Sequence, residues 1–302
     1  MKKDKNTFGV IIAALDQPFY GNYAFQLALS IKHSSPKTNI SLLCNEAGKG
    51  HLTSEKLAFF DKVIKVNDVA VTSNGRKATL KFKTYLYQIT PYNETLFLDA
   101  DTLWLPRQPI ENLINEIPKD CVFTMQNRGF IDFETATDEQ LNSRFNIWAN
   151  SGHIKAAHKF KTGKLFNLSS ELIYFKKDAT IEKLFKDAQK LYDNPSVAFE
   201  NFAGGVPDEL PFAIAMIKNN IYPHLTNWRP FYWEAFDKKR LLNKPSELYN
   251  SYYGVSFGGN FQEPFIKRFY DNLARVYANA FGLQYVFALK DKRSFLTNRH
   301  TI

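Results

Sequence analysis

A chain of 302 residues that is 44% hydrophobic and 15% aromatic, with 27 Phe and 15 Tyr, carries enough apolar surface for a large core, which excludes intrinsic disorder. Its 39 Lys and Arg against 30 Asp and Glu leave a formal charge of +9, which favours nucleic acid, anionic lipid, acidic glycans or nucleotide sugars without choosing among them. Two cysteines, Cys44 and Cys121, each inside an apolar run, are too few for a disulfide scaffold or a thiolate zinc site, and no stretch reaches 18 uninterrupted apolar residues. A cytoplasmic protein is therefore expected, free or peripheral at an anionic membrane surface. Much of the positive excess lies in Met1 to Lys5 and Lys290 to Arg299, where solvated ends that aid solubility compete with a docking role.

In chain order, Phe8 to Leu15 is a continuous apolar, β-branched run, the pattern of a strand buried on both faces of a parallel sheet. The loop signal Asp16-Gln17-Pro18 and a helix-like segment from Tyr20 to His33 follow. Asn39 to Asn45 reads as a second strand, Leu52 to Phe60 as a short helix, and Lys62 to Val66 as a third strand. Beyond Ser73-Asn74-Gly75, the segment Arg76 to Ile89 reads as a helix and Thr95 to Leu98 as a short strand. This alternation predicts an α/β domain, a mostly parallel sheet with helices on both faces.

Further on, Ile110 to Ile117 is expected to be helical, Cys121 to Met125 extended, Leu172 to Phe175 a strand, and Ile181 to Tyr192 and Leu210 to Lys218 helices. Between them, Asn127 to Leu165 is polar and aromatic without a period, carries Phe130, Phe133, Phe145 and Trp148, and reads as a substrate-facing insertion. The last clear element is an amphipathic helix from Glu263 to Phe281, with Phe265, Phe269, Leu273, Val276 and Tyr277 on one face. A boundary near residue 237 divides a domain over 1–237 from a C-terminal extension over 238–302.

Chemistry concentrates in the segment Pro91 to Trp104, where Leu96-Phe97-Leu98 leads directly into Asp99-Ala100-Asp101. Ligands of open α/β sheets bind at the carboxyl ends of strands, where both carboxylates emerge. Two hard oxygen ligands can hold Mg²⁺ or Mn²⁺ while a diphosphate completes the shell. D-x-D alone is a weak string and often a solvated turn, but two carboxylates at the end of a buried strand require a partner.

FGVIIAALDQPFYGNYAFQLALSIK, KFKTYLYQITPYNETLFLDADTLWLP and GGVPDELPFAIAM resemble, in order and spacing, glycosyltransferases of the GT-A fold. The likeness is greatest to the glycogenin-like and lipopolysaccharide galactosyltransferase-like family commonly numbered eight, and covers roughly the first 235 residues. The resemblance implies a GT-A domain that transfers a hexose from a UDP-sugar to a glycan or glycolipid acceptor, with divalent-metal dependence and retained anomeric configuration. It assigns the metal to Asp99 and Asp101, with Asp99 also near the ribose. It assigns the nucleoside to Ala13, Asp16 and Tyr20, a donor contact to Lys81, the donor sugar to Asn167 and Ser169, and the sugar or acceptor to Asp208. Surface and helix-cap roles are the alternatives for Lys81 and Asp208.

Two departures from the family pattern stand out. Glu171 takes the place of a glycine in the segment Asn167 to Ile173, and the C-terminal histidine that supplies a third metal ligand is missing, the best match being Ser251 to Gly258. His224 is a substitute candidate. A non-catalytic nucleotide-sugar or glycan-binding protein is the first alternative function. A haloacid dehalogenase-like phosphatase, with its own D-x-D at a strand end, is the second. No nucleic-acid-binding motif occurs.

Overall fold

The protein is described here from a computed structural model, which covers residues 7–137, 139, 163–194, 207–232, 245–258 and 264–283. Strand β1 (Phe8–Ala14) lies between β2 (Ile40–Cys44) and β6 (Glu94–Asp99), parallel to both, and β3 (Lys62–Lys65) extends the same edge beyond β2. On the other side, β9 (Lys164–Lys176) pairs antiparallel with β6 and with β8 (Phe123–Asp132), giving a six-stranded sheet in the order β3-β2-β1-β6-β9-β8.

The continuous apolar runs of the central strands follow from burial of both sheet faces. Side chains alternate across a strand, so Val10, Ile12, Leu96 and Leu98 face one core while Ile11, Leu43 and Phe97 face the other. The first core is closed by α1 (Pro18–Ser34), α5 (Ile110–Glu116), α8 (Pro245–Ser251) and α9 (Pro264–Ala280). The second is closed by α6 (Ala179–Asp193) and α7 (Glu209–Asn219). A small sheet, β10 (Phe231–Tyr232), β11 (Gly254–Ser256) and β7 (Thr102–Trp104), branches off directly after the D-x-D turn. Gly254 is required in it, since an added Cβ would sit 1.7 Å from the Phe231 ring.

Several elements differ from the sequence reading. The helix expected over Leu52 to Phe60 is shortened to α3 (Ser54–Leu57), and a further short helix, α2 (Glu46–Lys49), precedes it, each capped by a side-chain oxygen, from Thr53 and Asn45 respectively. Arg76 to Ile89 is not one helix. Arg76 and Lys77 (β5) pair with Thr72 and Ser73 (β4), a 3₁₀ helix runs over Thr79–Tyr85, and only α4 (Leu86–Ile89) is α-helical. Strands β8 and β9 are far longer than Cys121 to Met125 and Leu172 to Phe175, because polar stretches such as Gln126-Asn127 and Ser169-Ser170 pair as strand despite weak propensity. The expected insertion from Asn127 to Leu165 thus begins and ends in sheet; residues 140–162, with Phe145 and Trp148, lie outside the described residues.

Helix α9 forms where expected, and of the expected face Leu273 and Tyr277 are buried and Phe269 is packed against the core. Its buried stripe is Ile266, Tyr270, Leu273, Ala274, Tyr277 and Ala278, a helical i, i+4, i+7, i+8 series, whereas Val276 is 52% exposed. Tyr277 Oη donates to Trp104 O at 2.5 Å, tying this helix to β7. Cys44 is buried, Cys121 half-buried, and both are free. No helix among the described residues is long and apolar enough to cross a membrane. Replacing Leu273 by Ala is expected to cost about 2–3 kcal/mol in denaturant unfolding, against about 0.5 kcal/mol or less for Val276→Ala. Equal costs would mean that α9 packs through another face.

Candidate functional site

The chain leaves β1 toward β2 on one side and returns to β6 on the other, so the topological switch point of the sheet lies between β1 and β6. The loops that follow these two strands carry the candidate residues. In register, Ala13 of β1 is the partner of Asp99 at the end of β6. Thr102 Oγ1 donates to Asp99 O at 2.7 Å, and Phe257 N donates to Asp101 O at 2.9 Å, which pins the D-x-D turn from β7 and from the segment after β11.

Asp16 sits at the mouth of β1 with a φ of 69°, a left-handed conformation that aspartate tolerates better than most residues. Asn45 holds it from both sides, donating through Nδ2 to Asp16 Oδ1 and accepting from Asp16 N, each at 3.1 Å. Lys77 Nζ pairs with Asp16 Oδ1 at 3.0 Å, and Thr79 Oγ1 donates to Asp16 Oδ2. The loop is therefore rigid before any ligand arrives. Tyr20, in the first turn of α1, has its hydroxyl pKa pushed up by burial and then by Asp101 and Asp99, so it lies within electrostatic reach of the acidic pair.

The basic partner of the acidic pair is Lys83, not Lys81. Lys81 is buried, but its Nζ bonds Asp193 Oδ1 and Thr72 O, each at 2.8 Å, and lies over the Tyr85 ring. Two residues apart on a tight helix, the two lysines leave on different sides. Lys83 Nζ lies 2.9 Å from Asp99 Oδ2, 2.8 Å from Ser170 Oγ and 3.5 Å from Asp208 Oδ2. Burial alone would strip its proton, but Asp208, Asp99 and Glu209 outweigh burial and hold the ammonium charged.

Asp208 opens α7 yet makes no side-chain cap; it is 2% exposed, and its Oδ2 has no hydrogen bond, only the ion pair with Lys83. The helix-cap alternative is thus not what the structure shows. Glu209, next in sequence, accepts from Ser170 Oγ at 3.0 Å, and burial reinforced by Asp208 lifts its carboxyl to about 8 against the pull of Lys83. Burial likewise lifts Asp99 to about 7, with Lys83 opposing and Asp101 reinforcing.

Residues of β9 enter through an irregularity. The β8 to β9 pairing jumps from Met125 opposite Ile173 to Gln126 opposite Ser169, which leaves Ser170, Glu171 and Leu172 unpaired on β8 and lets Ser170 reach Lys83. Ser169 donates to Glu171 Oε2, as does Gln126 Nε2 at 2.9 Å. Asn167 lies farther along β9, half-exposed, opposite a second irregularity at Gly129. His224 bonds Thr124 Oγ1 at 3.1 Å and packs against Trp228, so it belongs to a different neighbourhood.

Of the residues assigned from sequence, the structure sets Ala13 beside Asp99 and ties Asp99 to Asp208 through Lys83, with Tyr20 and Asp101 within electrostatic reach, Asp16 just past β1 and Ser169 bonded to Glu171. Lys83, Ser170, Glu209 and Gln126 were missed. The one signal for Lys83 was a charge inside the apolar segment LKFKTYL, which Lys81 shares.

By sequence, no family model and no curated protein matches the chain. Solved structures do match in shape. The galactosyltransferase LgtC, in complex with donor and acceptor sugar analogs, is 14% identical over 92% of this chain and 97% of that one, with a TM-score of 0.51. The apo form of the glycosyltransferase GlyE of Streptococcus pneumoniae TIGR4 is 10% identical over 92% of this chain and 63% of that one, with a TM-score of 0.51. The bifunctional glycosyltransferase WbbM is 15% identical over 86% of this chain, with a TM-score of 0.50, and this chain spans 47% of its length. This chain has the GT-A fold. At such identities the likeness is one of fold, and the D-x-D on β6 of this frame removes the dehalogenase-like phosphatase reading, whose motif sits on the first strand.

Among the described residues, no three His, Cys, Asp or Glu side chains converge as a closed metal cage. The donor chemistry nevertheless fits a hard divalent cation bridged to a diphosphate, which needs only one or two carboxylates from the protein. Where the resemblance led to a missing histidine, the chain runs as β11 past Thr102 and presents Ser256, whose buried Oγ has no hydrogen-bond partner. Titration offers a check on the carboxylates. A group with a raised folded pKa stabilises at low pH and loses that contribution as pH rises toward the folded value. The melting temperature is therefore expected to fall between pH 5 and about 8, the value to which Glu209 is lifted, and Glu209→Gln should flatten that slope in thermal denaturation.

Proposed function

We propose that this GT-A protein transfers a hexose from a UDP-sugar to a glycan or glycolipid acceptor, with Mg²⁺ or Mn²⁺ bound and the anomeric configuration retained. The observation that carries the reading is the tie from Asp99, at the carboxyl end of β6 beside the switch point, through buried Lys83 to Asp208. LgtC, of the same fold, is a galactosyltransferase seen with donor and acceptor sugar analogs, which supports the donor and acceptor classes. Retention rests on the family resemblance.

In this reading Ala13, Asp16 and Tyr20 receive the nucleoside at the switch point between the loops after β1 and β6. Asp99 and Asp101 hold the cation, which when bound supplies a Lewis acid for charge appearing on the departing diphosphate. Lys83 keeps Asp99 oriented and Asp208 in place, so the site needs little rearrangement as charge develops. Asp208, Ser169 and Asn167 face the sugar or acceptor. The role assigned to Lys81 passes to Lys83, and Lys81 serves the fold through Asp193. The acceptor side is assigned to residues 127–165. Cytoplasmic placement, with basic ends suited to an anionic membrane surface, remains part of the proposal.

Release of UDP from UDP-hexoses with Mn²⁺ tests this directly. Asp101→Asn and Lys83→Met should each lower turnover by about 100-fold or more, the scale of losing one pre-organised electrostatic group, while Lys81→Met stays within about threefold per folded molecule. A wild-type protein that is stabilised by UDP-sugars but never turns them over would establish the binding-only alternative. The Glu171 substitution and the missing third metal ligand are the features that favour that alternative.

A further inference from the structure

Resting on the transferase reading, we infer that Glu171 selects the donor sugar by charge, admitting an uncharged sugar that offers hydroxyl donors and rejecting uronates. The placement comes from register. The last pair between β6 and β9 is Leu98 opposite Leu172, so one step further β6 ends at Asp99 while β9 continues with Glu171. Ser170 and Glu171 have no ladder partner on either β6 or β8, so this two-residue stretch lies outside both ladders.

The side chain is held, and held asymmetrically. Gln126 Nε2, at 2.9 Å, and Ser169 Oγ both donate to Oε2, and no described residue donates to Oε1. A pinned carboxylate with one uncommitted oxygen can accept a hydrogen bond from a ligand hydroxyl without losing its own supports. The charged groups within electrostatic reach of Glu171 are Asp101, Lys83 and Arg128, and it in turn acts on Glu209. Lys83 is already committed to Asp99, Asp208 and Ser170. A second carboxylate, brought in on a sugar, would therefore meet Glu171, with Asp101 and Asp208 beyond it, while Arg128 is, among the described residues, the one cation near Glu171 outside the Lys83 cluster. Like charges placed together in a partly dry site are a strong device for rejecting a wrong ligand.

The experiment compares kcat/KM for UDP release, with Mn²⁺, from UDP-glucose and UDP-galactose against UDP-glucuronate and UDP-galacturonate. Wild type should favour each hexose over its uronate by about 100-fold or more, and Glu171→Gln, which keeps the shape and removes the charge, should narrow that ratio by about tenfold or more. Glu171→Ser gives the same readout should the glutamine variant fail to fold, and thermal stabilisation by the four donors reports the ratio should a variant lose turnover. A ratio unmoved in a folded variant overturns the assignment while leaving the transferase reading intact. A wild-type protein inert toward both hexose donors overturns both.

Discussion

One buried ammonium organises the site. Lys83 is 4% exposed, and an isolated charge at that depth would be expelled or neutralised, so it is tolerated only because Asp99, Asp208 and the Ser170 hydroxyl surround it. Those partners come from the end of β6, the start of α7 and the bulge of β9, elements distant in the chain. The same contacts that satisfy the lysine therefore fix three separate backbones about one point. Removing it would leave buried carboxylates facing one another, which is costlier than the pair itself is worth.

That point lies where it does because the sheet is buried on both faces. Alternating side chains of β1 and β6 fill two cores, leaving only the strand ends open to solvent. At the switch between β1 and β6 the two loops depart from the strand ends. Asp16, held by Asn45 and Lys77, and the D-x-D turn, held by Thr102 and Phe257, stand there. The excess of carboxylates over cations there is what the proposed divalent metal would offset.

The departures from the resembled family gain a physical meaning in this frame. Glu171 is no stray surface acid, since Gln126 and Ser169 hold it beside Asp99's end of the sheet. Ser256 occupies the approach of β11 to the D-x-D turn, with an unsatisfied buried hydroxyl, so the segment reaches the site even though the expected histidine is missing. The C-terminal helix α9 joins the same core as β1 through Tyr270, Leu273 and Tyr277, and so helps support the turn through Trp104.

What the sequence determined by itself was local and periodic: the two-faced apolar runs at Phe8 to Ala14 and Leu96 to Leu98, the helices that follow, and the Asp99-Ala100-Asp101 turn at a strand's end. These are legible because burial on both faces and helix amphipathicity leave marks within a dozen residues. Tertiary structure alone decided which lysine meets the acids, since Lys81 and Lys83 sit in the same apolar segment and differ only in which side faces the sheet. It also decided that polar stretches such as Gln126-Asn127 and Ser169-Ser170 are strand, that Val276 faces solvent, and that the β9 bulge carries Ser170 and Glu171 inward. Several of these depend on distant partners, as in the pairing of Gln126 with Glu171 at a separation of 45 and of Lys83 with Ser170 at 87, and no local pattern records such contacts.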